Sequence, residues 1–371
     1  GGPFSVKAGQ VTDDTELALA MARSLAEHGA YDPDAVAAAY LGWYASGPFD
    51  VGGTTATAFG GHVRPGPGAA ARIASRASRS SQANGALMRV SPLAIWGWRL
   101  PPDDLAALAA FDARLSHPHE VCQAANAVFA VAIAAAIREG TDARGTWERA
   151  LAFARGHAAC APVLDTLQQV EDGPPADYVK NMGWVRIALH NAFFQLLHAP
   201  TLEAGVVDTV MRGGDTDTNG CIAGALLGAV HGEGAIPGQW LDAILGCRTG
   251  RGPTFQSDDA LELAARLAEA GVAPGLVPDL AAALVVPPAD AAHEDDDDDD
   301  PDADEADEHD DDAAYDDEGL DDPGTSGDDL DDGEDPDGTW DDADADGADP
   351  DQDETRHLGG PWKDAGPLFG A

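Results

Sequence analysis

What is scarce in this chain narrows its chemistry before any motif is read. No uninterrupted apolar run approaches the ~18 residues of a membrane-spanning helix, and no signal-peptide pattern opens the sequence. No membrane partner is therefore expected. Cysteine occurs four times, as Cys122, Cys160, Cys221 and Cys247, widely spaced and without a CxxC pair. Such usage suits buried thiols in a reducing, cytoplasmic setting. β-branched alternation is almost absent while Ala is abundant, which argues against strands.

Basic residues are also few. Lys and Arg number 21 against 66 Asp and Glu in 371 residues, for a formal net charge of −45. The imbalance is local: residues 294–355 hold 35 of the acids and no Lys or Arg, leaving 31 acids against 21 bases elsewhere. A mildly acidic folded body with a polyanionic tail fits this distribution. A nucleic-acid backbone would be repelled, so no nucleic-acid partner is expected. The chain begins Gly1-Gly2-Pro3-Phe4, without an initiating Met.

From Asp14 to about Leu284 the apolar spacing predicts helix after helix. Leu17, Met21 and Leu25 recur every four residues before Gly29, a plausible helix stop. Further helices are expected over 34–45, 87–98, 103–115, 120–138, 178–197, 202–211 and 258–270. Residues 1–286 are long enough for one all-α domain, and no fixed repeat suggests a solenoid. Past Pro287-Pro288 the Asp-rich tract 287–371 has little to bury and is expected to be disordered. Within it, Asp342-x-Asp344-x-Asp346-Gly347 mimics the start of an EF-hand loop, but position twelve is Asp353 rather than Glu. Chance in an Asp-rich tract explains that match. The apolar end, Gly359 to Phe369, has the look of a short docking motif.

Against this background two clusters stand out. Thr12-Asp13-Asp14-Thr15 opens the first helix, and Asp215-Thr216-Asp217-Thr218 follows Gly213-Gly214 and precedes an apolar run ending at Val230. Either could be an ordinary helix start, with Thr12, Asp217 or Thr218 capping and the acids complementing the dipole. Capping needs one such residue, however, not several. Together the clusters supply the carboxylate and hydroxyl oxygens that Mg²⁺ or Mn²⁺ prefers, and two in one chain point to a shared metal site. The preceding glycines would permit the loop bend that brings Asp215 and Asp217 onto one ion. Gly224 and Gly228 would let a neighbouring helix approach closely.

Gly9-Gln10-Val11-Thr12-Asp13-Asp14-Thr15 and Gly213-Gly214-Asp215-Thr216-Asp217-Thr218 resemble the two metal signatures of the ADP-ribosylglycohydrolase family. That family includes dinitrogenase reductase-activating glycohydrolase and the ADP-ribosyl-acceptor hydrolases. Asn84-Gly85-Ala86-Leu87-Met88-Arg89 is similar to its Asn-Gly-x-x-Met-Arg segment, and Ser116-His117 to its Thr/Ser-His segment. Gly183-Trp184-Val185 is similar to the start of the helix before its second signature. The resemblance covers nearly all of residues 9–270, in the family's order. It implies an all-α orthogonal helical bundle with two Mg²⁺ (or Mn²⁺) at the base of an ADP-ribose cleft. By position it implies Thr12, Asp13, Asp14, Asp215, Asp217 and Thr218 as metal ligands. Ser81, Asn84 and Gly85 would lie near the diphosphate and distal ribose, and His117 beside the substrate. On the residues alone, Asn84-Gly85 also reads as a simple turn, and His117 as a residue preceding a helix start.

The implied activity is hydrolysis of the glycosidic bond between ADP-ribose and a modified protein side chain or small acceptor. Asp13, Asp14 and Asp215 are the candidate catalytic carboxylates. One departure stands out: family members usually carry a Gly-Asp-x-x-Gly segment and a catalytically important acid before the first signature. Here eleven residues precede Thr12, none of Gly1–Val11 is acidic, and Ala83 stands where a Gly often precedes Asn-Gly. An incomplete N-terminus is the expectation. The alternatives are a catalytically impaired ADP-ribose-binding relative and a Ca²⁺-binding or chaperone-like role for the tail.

Overall fold

Helices begin in this chain where a cap and a four-residue apolar stripe coincide. The computed structural model describes residues 4–61, 63–270, 278, 280 and 282–284. Among these are fourteen α-helices and no strand. The first half holds α1 (Asp13–His28), α2 (Pro33–Ala45), α3 (Gly53–Phe59), α4 (Ala69–Arg76), α5 (Ser91–Trp96), α6 (Pro102–Arg114) and α7 (Glu120–Glu139). The second holds α8 (Ala143–Gly156), α9 (Leu164–Gln169), α10 (Val185–His198), α11 (Leu202–Met211), α12 (Thr216–His231), α13 (Gly238–Gly246) and α14 (Ala260–Ala270). The Asp-rich tract, its EF-hand-like stretch and the apolar C-terminal end lie outside the described residues.

Helix α1 follows its sequence pattern closely. Leu17, Met21 and Leu25 are fully buried, each contributing roughly 1.5–3 kcal/mol. Gly29 ends the helix in the left-handed conformation, its N–H donating to the Leu25 carbonyl. Asp32 caps α2 through hydrogen bonds from the Asp34 and Ala35 amides, with Pro33 at the first helical position.

The core is organised around α7. It packs against α5, α6, α8, α10 and α12, and residues such as Val128, Phe129 and Ala132 are wholly inaccessible. By length and composition alone α7 is apolar enough to cross a membrane, with mean hydropathy 1.7, although no uninterrupted apolar run marked it in the sequence. Burial of 83% of that window by other helices accounts for its apolar character.

Two expected boundaries shift, and one expected packing contact is not made. The 87–98 helix divides at Val90 into a 3₁₀ turn (Leu87–Arg89) and α5, where Pro92 sits at the second helical position. The 178–197 helix starts only at Val185, because Asn181 adopts φ 56° and residues 178–184 form turns. Gly224 and Gly228 do not mediate close packing: a Cβ on Gly224 would only touch Val206 at 3.7 Å, and one on Gly228 would meet nothing within 4 Å. The close approach is at Gly205 on α11, where a Cβ would stand 2.7 Å from Leu227 Cδ1 of α12.

Both acidic clusters are held at helix starts by long-range ties. Glu16, 1% exposed, accepts from Trp43 Nε1 at 2.8 Å and from Arg251 Nε and Nη2, both at 2.8 Å. That anchors the first turn of α1 to α2 and to the loop ahead of α14. Gly213 and Gly214 take φ 77° and 74°, so the chain bends immediately before α12. A Cβ at Gly214 would collide with the Tyr178 carbonyl at 1.9 Å, which leaves Gly as the residue that fits.

Candidate active site

The two acidic clusters meet. Neither cluster spends its side chains on capping: Thr12 and Asp215 occupy the N-cap positions of α1 and α12 without a side-chain cap hydrogen bond. Thr12 Oγ1 donates instead to Asp14 Oδ2 at 2.9 Å. Helix α12 starts at Thr216, five residues ahead of the apolar run that begins at Cys221, so Asp217 and Thr218 lie in its first turn rather than in a loop.

Electrostatics show the convergence. Burial first, then the charges of Asp50 and Asp217, push the Asp13 carboxyl up to about 7. Asp14 is raised well above the usual carboxylate range by burial, with Asp13 and Asp217 adding and hydrogen bonds from Thr12 and Thr218 opposing. Burial also raises Asp215, opposed by hydrogen bonds from Asn84 and Thr218 and reinforced by Asp217. These carboxylates are packed together without a compensating base, an arrangement that a multivalent cation would relieve. Among the described residues, Asp14 Oδ1 is buried with no hydrogen-bond partner, an oxygen that a bound cation could use. Among the described residues no three His, Cys, Asp or Glu side chains close into a ready cage. What converges is a mixed set of carboxylate and hydroxyl oxygens, a donor set that fits a hard cation.

Asp50 was missed in the sequence. It precedes Val51-Gly52-Gly53-Thr54-Thr55, where α3 begins, and its carboxyl is raised by burial, Asp217 and Asp215. The signal existed, since Gly-Gly beside carboxylate and hydroxyl repeats the grammar of the second cluster. Only the fold shows that this third helix start faces the other two.

Segment 82–85 forms the adjoining wall. Asn84 Nδ2 donates to Asp215 Oδ2 at 2.8 Å. The backbone here is laced to the turn before α10: Asn84 N–H bonds the Gly183 carbonyl, Val185 N–H bonds the Gln82 carbonyl, and Ala83 and Trp184 form an isolated bridge. Ser81 Oγ lies 2.8 Å from Thr54 Oγ1 of α3. A Cβ on Gly85 would approach His117 Nε2 and Thr55 Oγ1 at 3.1 Å each, so the absence of a side chain lets these groups pack closely. Asn84-Gly85 is thus more than a turn.

His117 is not a helix cap; His119 performs that role for α7, accepting from the Val121 amide. His117 is 1% exposed, and burial followed by the nearby Arg89 charge drives its pKa down to about 3. It is a neutral ring at pH 7. Arg89, wholly buried, bonds Asp112 Oδ2, the Gly85 carbonyl and Ser116 Oγ. Asp112 also accepts from Tyr31 and Tyr40 hydroxyls. Every sequence-derived site residue except His117 therefore lies in direct hydrogen-bond or charge contact with this cluster or its wall, and His117 borders Gly85.

Comparison with known proteins gives the family. The family model described as ADP-ribosylglycohydrolase matches residues 2–275. An ADP-ribosyl-[dinitrogen reductase] glycohydrolase of Rhodospirillum rubrum is 31% identical over 252 residues, covering 66% of this chain and 76% of that protein. An ADP-ribosylarginine hydrolase Tri1 of Pseudomonas putida is 25% identical over 258 residues, covering 66% and 65% respectively. A solved structure titled ADP-ribosylglycohydrolase-related protein complex superposes with TM-score 0.56 at 29% identity, over 73% of this chain and 86% of that one. On the extent of these matches, the chain belongs to the ADP-ribosylglycohydrolase family.

Proposed function

We propose that this protein hydrolyses the glycosidic bond joining ADP-ribose to a side chain of a modified protein. In this reading two divalent ions, Mg²⁺ or Mn²⁺, are held by Thr12, Asp13, Asp14, Asp215, Asp217 and Thr218. The observation that carries it is the mutual charge contact of Asp13, Asp14, Asp50, Asp215 and Asp217, together with a buried Asp14 Oδ1 that has no hydrogen-bond partner among the described residues. When bound, the ions supply charge that orients the ribose diol and makes a nearby water easier to deprotonate.

The chain's own residues do the rest. Asp50, the more accessible raised carboxyl, is the general base that takes the water's proton. Asn84 orients Asp215 by a hydrogen bond to one carboxylate oxygen. Gly85, without a side chain, lets His117 and Thr55 pack against the Asn84 loop. Ser81 holds the wall to α3 through Thr54. Fixing the anomeric carbon beside base and water supports an oxocarbenium-like transition state. Two relatives named for a dinitrogen reductase and for ADP-ribosylarginine favour a protein acceptor, with arginine as the first to try.

The test is release of ADP-ribose from an ADP-ribosylated arginine peptide, before and after chelation and with Mg²⁺ restored. Turnover that survives thorough chelation, or full activity in Asp14→Asn, would sink the proposed site.

A further inference from the structure

The reason His117 lies where it does is visible in the groups behind it. Ser116 Oγ has two hydrogen-bond partners among the described residues: Arg89 Nη1 at 2.8 Å and His117 Nδ1 at 2.8 Å. Arg89 can only donate, so Ser116 accepts from it. The Ser116 hydroxyl is fully buried, and its single hydrogen has one remaining acceptor within reach, the Nδ1 lone pair of His117. The reverse polarity, with Nδ1–H donating to Ser116, would leave that hydroxyl hydrogen buried without an acceptor. Nδ1 is therefore the acceptor, and the ring proton belongs on Nε2. That nitrogen stands over Gly85, where a Cβ would lie 3.1 Å away, and it makes no hydrogen bond to protein among the described residues.

Arg89 also holds the Gly85 side of this contact. The same Nη1 donates to the Gly85 carbonyl at 3.2 Å, while Nε and Nη2 hold Asp112 Oδ2 and the Asp112 carbonyl. Tyr40 and Phe59 pack their rings against the guanidinium at 4.6 and 5.8 Å. One rigid cation thus fixes both the Gly85 loop and the Ser116–His117 pair.

We infer that Arg89 and Ser116 are a positioning pair that holds His117 in its Nε2–H tautomer, as a hydrogen-bond donor to an acceptor oxygen of the bound ligand. That the ligand is ADP-ribose rests on the function proposed above; the tautomer does not. The relay excludes the opposite role, because an Nε2 that carries a proton cannot accept one from substrate or water. His117 binds and orients rather than acting as base.

The test is ¹⁵N NMR of histidine-labelled full-length protein, with free ADP-ribose affinity measured alongside. Wild-type His117 is expected to show an unprotonated Nδ1 and a protonated Nε2 at neutral pH. Ser116→Ala should lose that tautomer preference and raise the Kd for ADP-ribose about three- to tenfold, the weight of one hydrogen bond. Ser116→Thr, which keeps the hydroxyl, should restore both. A wild-type spectrum with the proton on Nδ1 overturns the inference, and this reading does not depend on any variant folding. So does a folded Ser116→Ala protein whose tautomer and affinity are unchanged. Wild-type protein in the Nε2–H form that binds no ADP-ribose would instead remove the proposed function and leave the relay standing.

Discussion

Asn84 and Asp215, 131 residues apart in sequence, are joined by a 2.8 Å hydrogen bond from Nδ2 to Oδ2. It is the point where the ligand-side loop and the second acidic cluster become one structure. A carboxylate crowded by Asp217 tends to turn away from its neighbours; the Asn84 amide holds one of its oxygens in place. Asn84→Ala is expected to weaken metal affinity about 10- to 100-fold, the usual cost of losing an orienting hydrogen bond behind a ligand. Asn84→Asp should be worse, since it adds a further negative charge. Mg²⁺ titration by calorimetry decides, and unchanged affinity in both variants would contradict this role.

The acidic cluster also makes a claim about stability. Because the folded-state pKa of Asp13 is raised to about 7, the metal-free protein keeps a proton there that the unfolded chain releases near 4. Its contribution is present at low pH and lost as pH rises through 7. Asp13→Asn, a mimic of the protonated form, should therefore be more stable than wild type without metal at pH 8, on the order of 2 kcal/mol. Saturating Mg²⁺ should raise the Tm of wild type and leave that of Asp13→Asn nearly unmoved. Thermal melts at pH 5 and 8, with and without Mg²⁺, supply all four comparisons. A variant less stable than wild type at pH 8 without metal would show that burial and the neighbouring charges do not disfavour the ionised Asp13.

Asp50 separates binding from chemistry. It is more accessible than Asp13 or Asp14 yet feels the charges of Asp215 and Asp217. Asp50→Asn keeps size and polarity but cannot take a proton. It should lower kcat by about 10²-fold or more while ADP-ribose affinity stays within about threefold. Single-turnover kinetics beside direct binding measurement would reveal the split. If affinity collapses and kcat holds, Asp50 is a ligand-binding group instead.

The sequence disclosed the parts of this site that are local and withheld those that are not. Thr12 to Asp14 and Asp215 to Thr218 were legible because an excess of hard oxygens at a helix start is more than capping requires. The shapes of α1 and α11 were legible because apolar spacing and caps specify them within a few residues. Asp50 was not, since a lone Asp before Gly-Gly looks like any loop until packing of α3 on α2 and α4 brings it within reach of Asp13. Arg89 lay within a motif that was recognised, but its partners Asp112 and Ser116 are 23 and 27 residues away. The start of α10 was misplaced because lacing of 183–185 to 82–84 overrides a helical pattern across 178–184. Where a tertiary contact decides the local conformation, periodicity carries no trace of it.

His117 offers the last measurement, on the acid side of the stability curve. Burial and the Arg89 charge lower its pKa from the ordinary 6.5 to about 3. Between those values the unfolded chain binds a proton at this ring and the native state does not, so stability falls as pH drops through the window. One such group contributes a slope of up to about 1.4 kcal/mol per pH unit. His117→Gln removes the titration while its amide can still donate toward the ligand. The two proteins should therefore differ by a constant amount above pH 6.5, and the variant should gain on wild type by about 2 kcal/mol at pH 5. The raised carboxylates at Asp13 and Asp14 titrate in both proteins and cancel in the difference. Urea unfolding at pH 7, 6 and 5 gives the comparison. Parallel curves over that range would mean that the folded His117 takes up a proton after all, despite its burial beside Arg89.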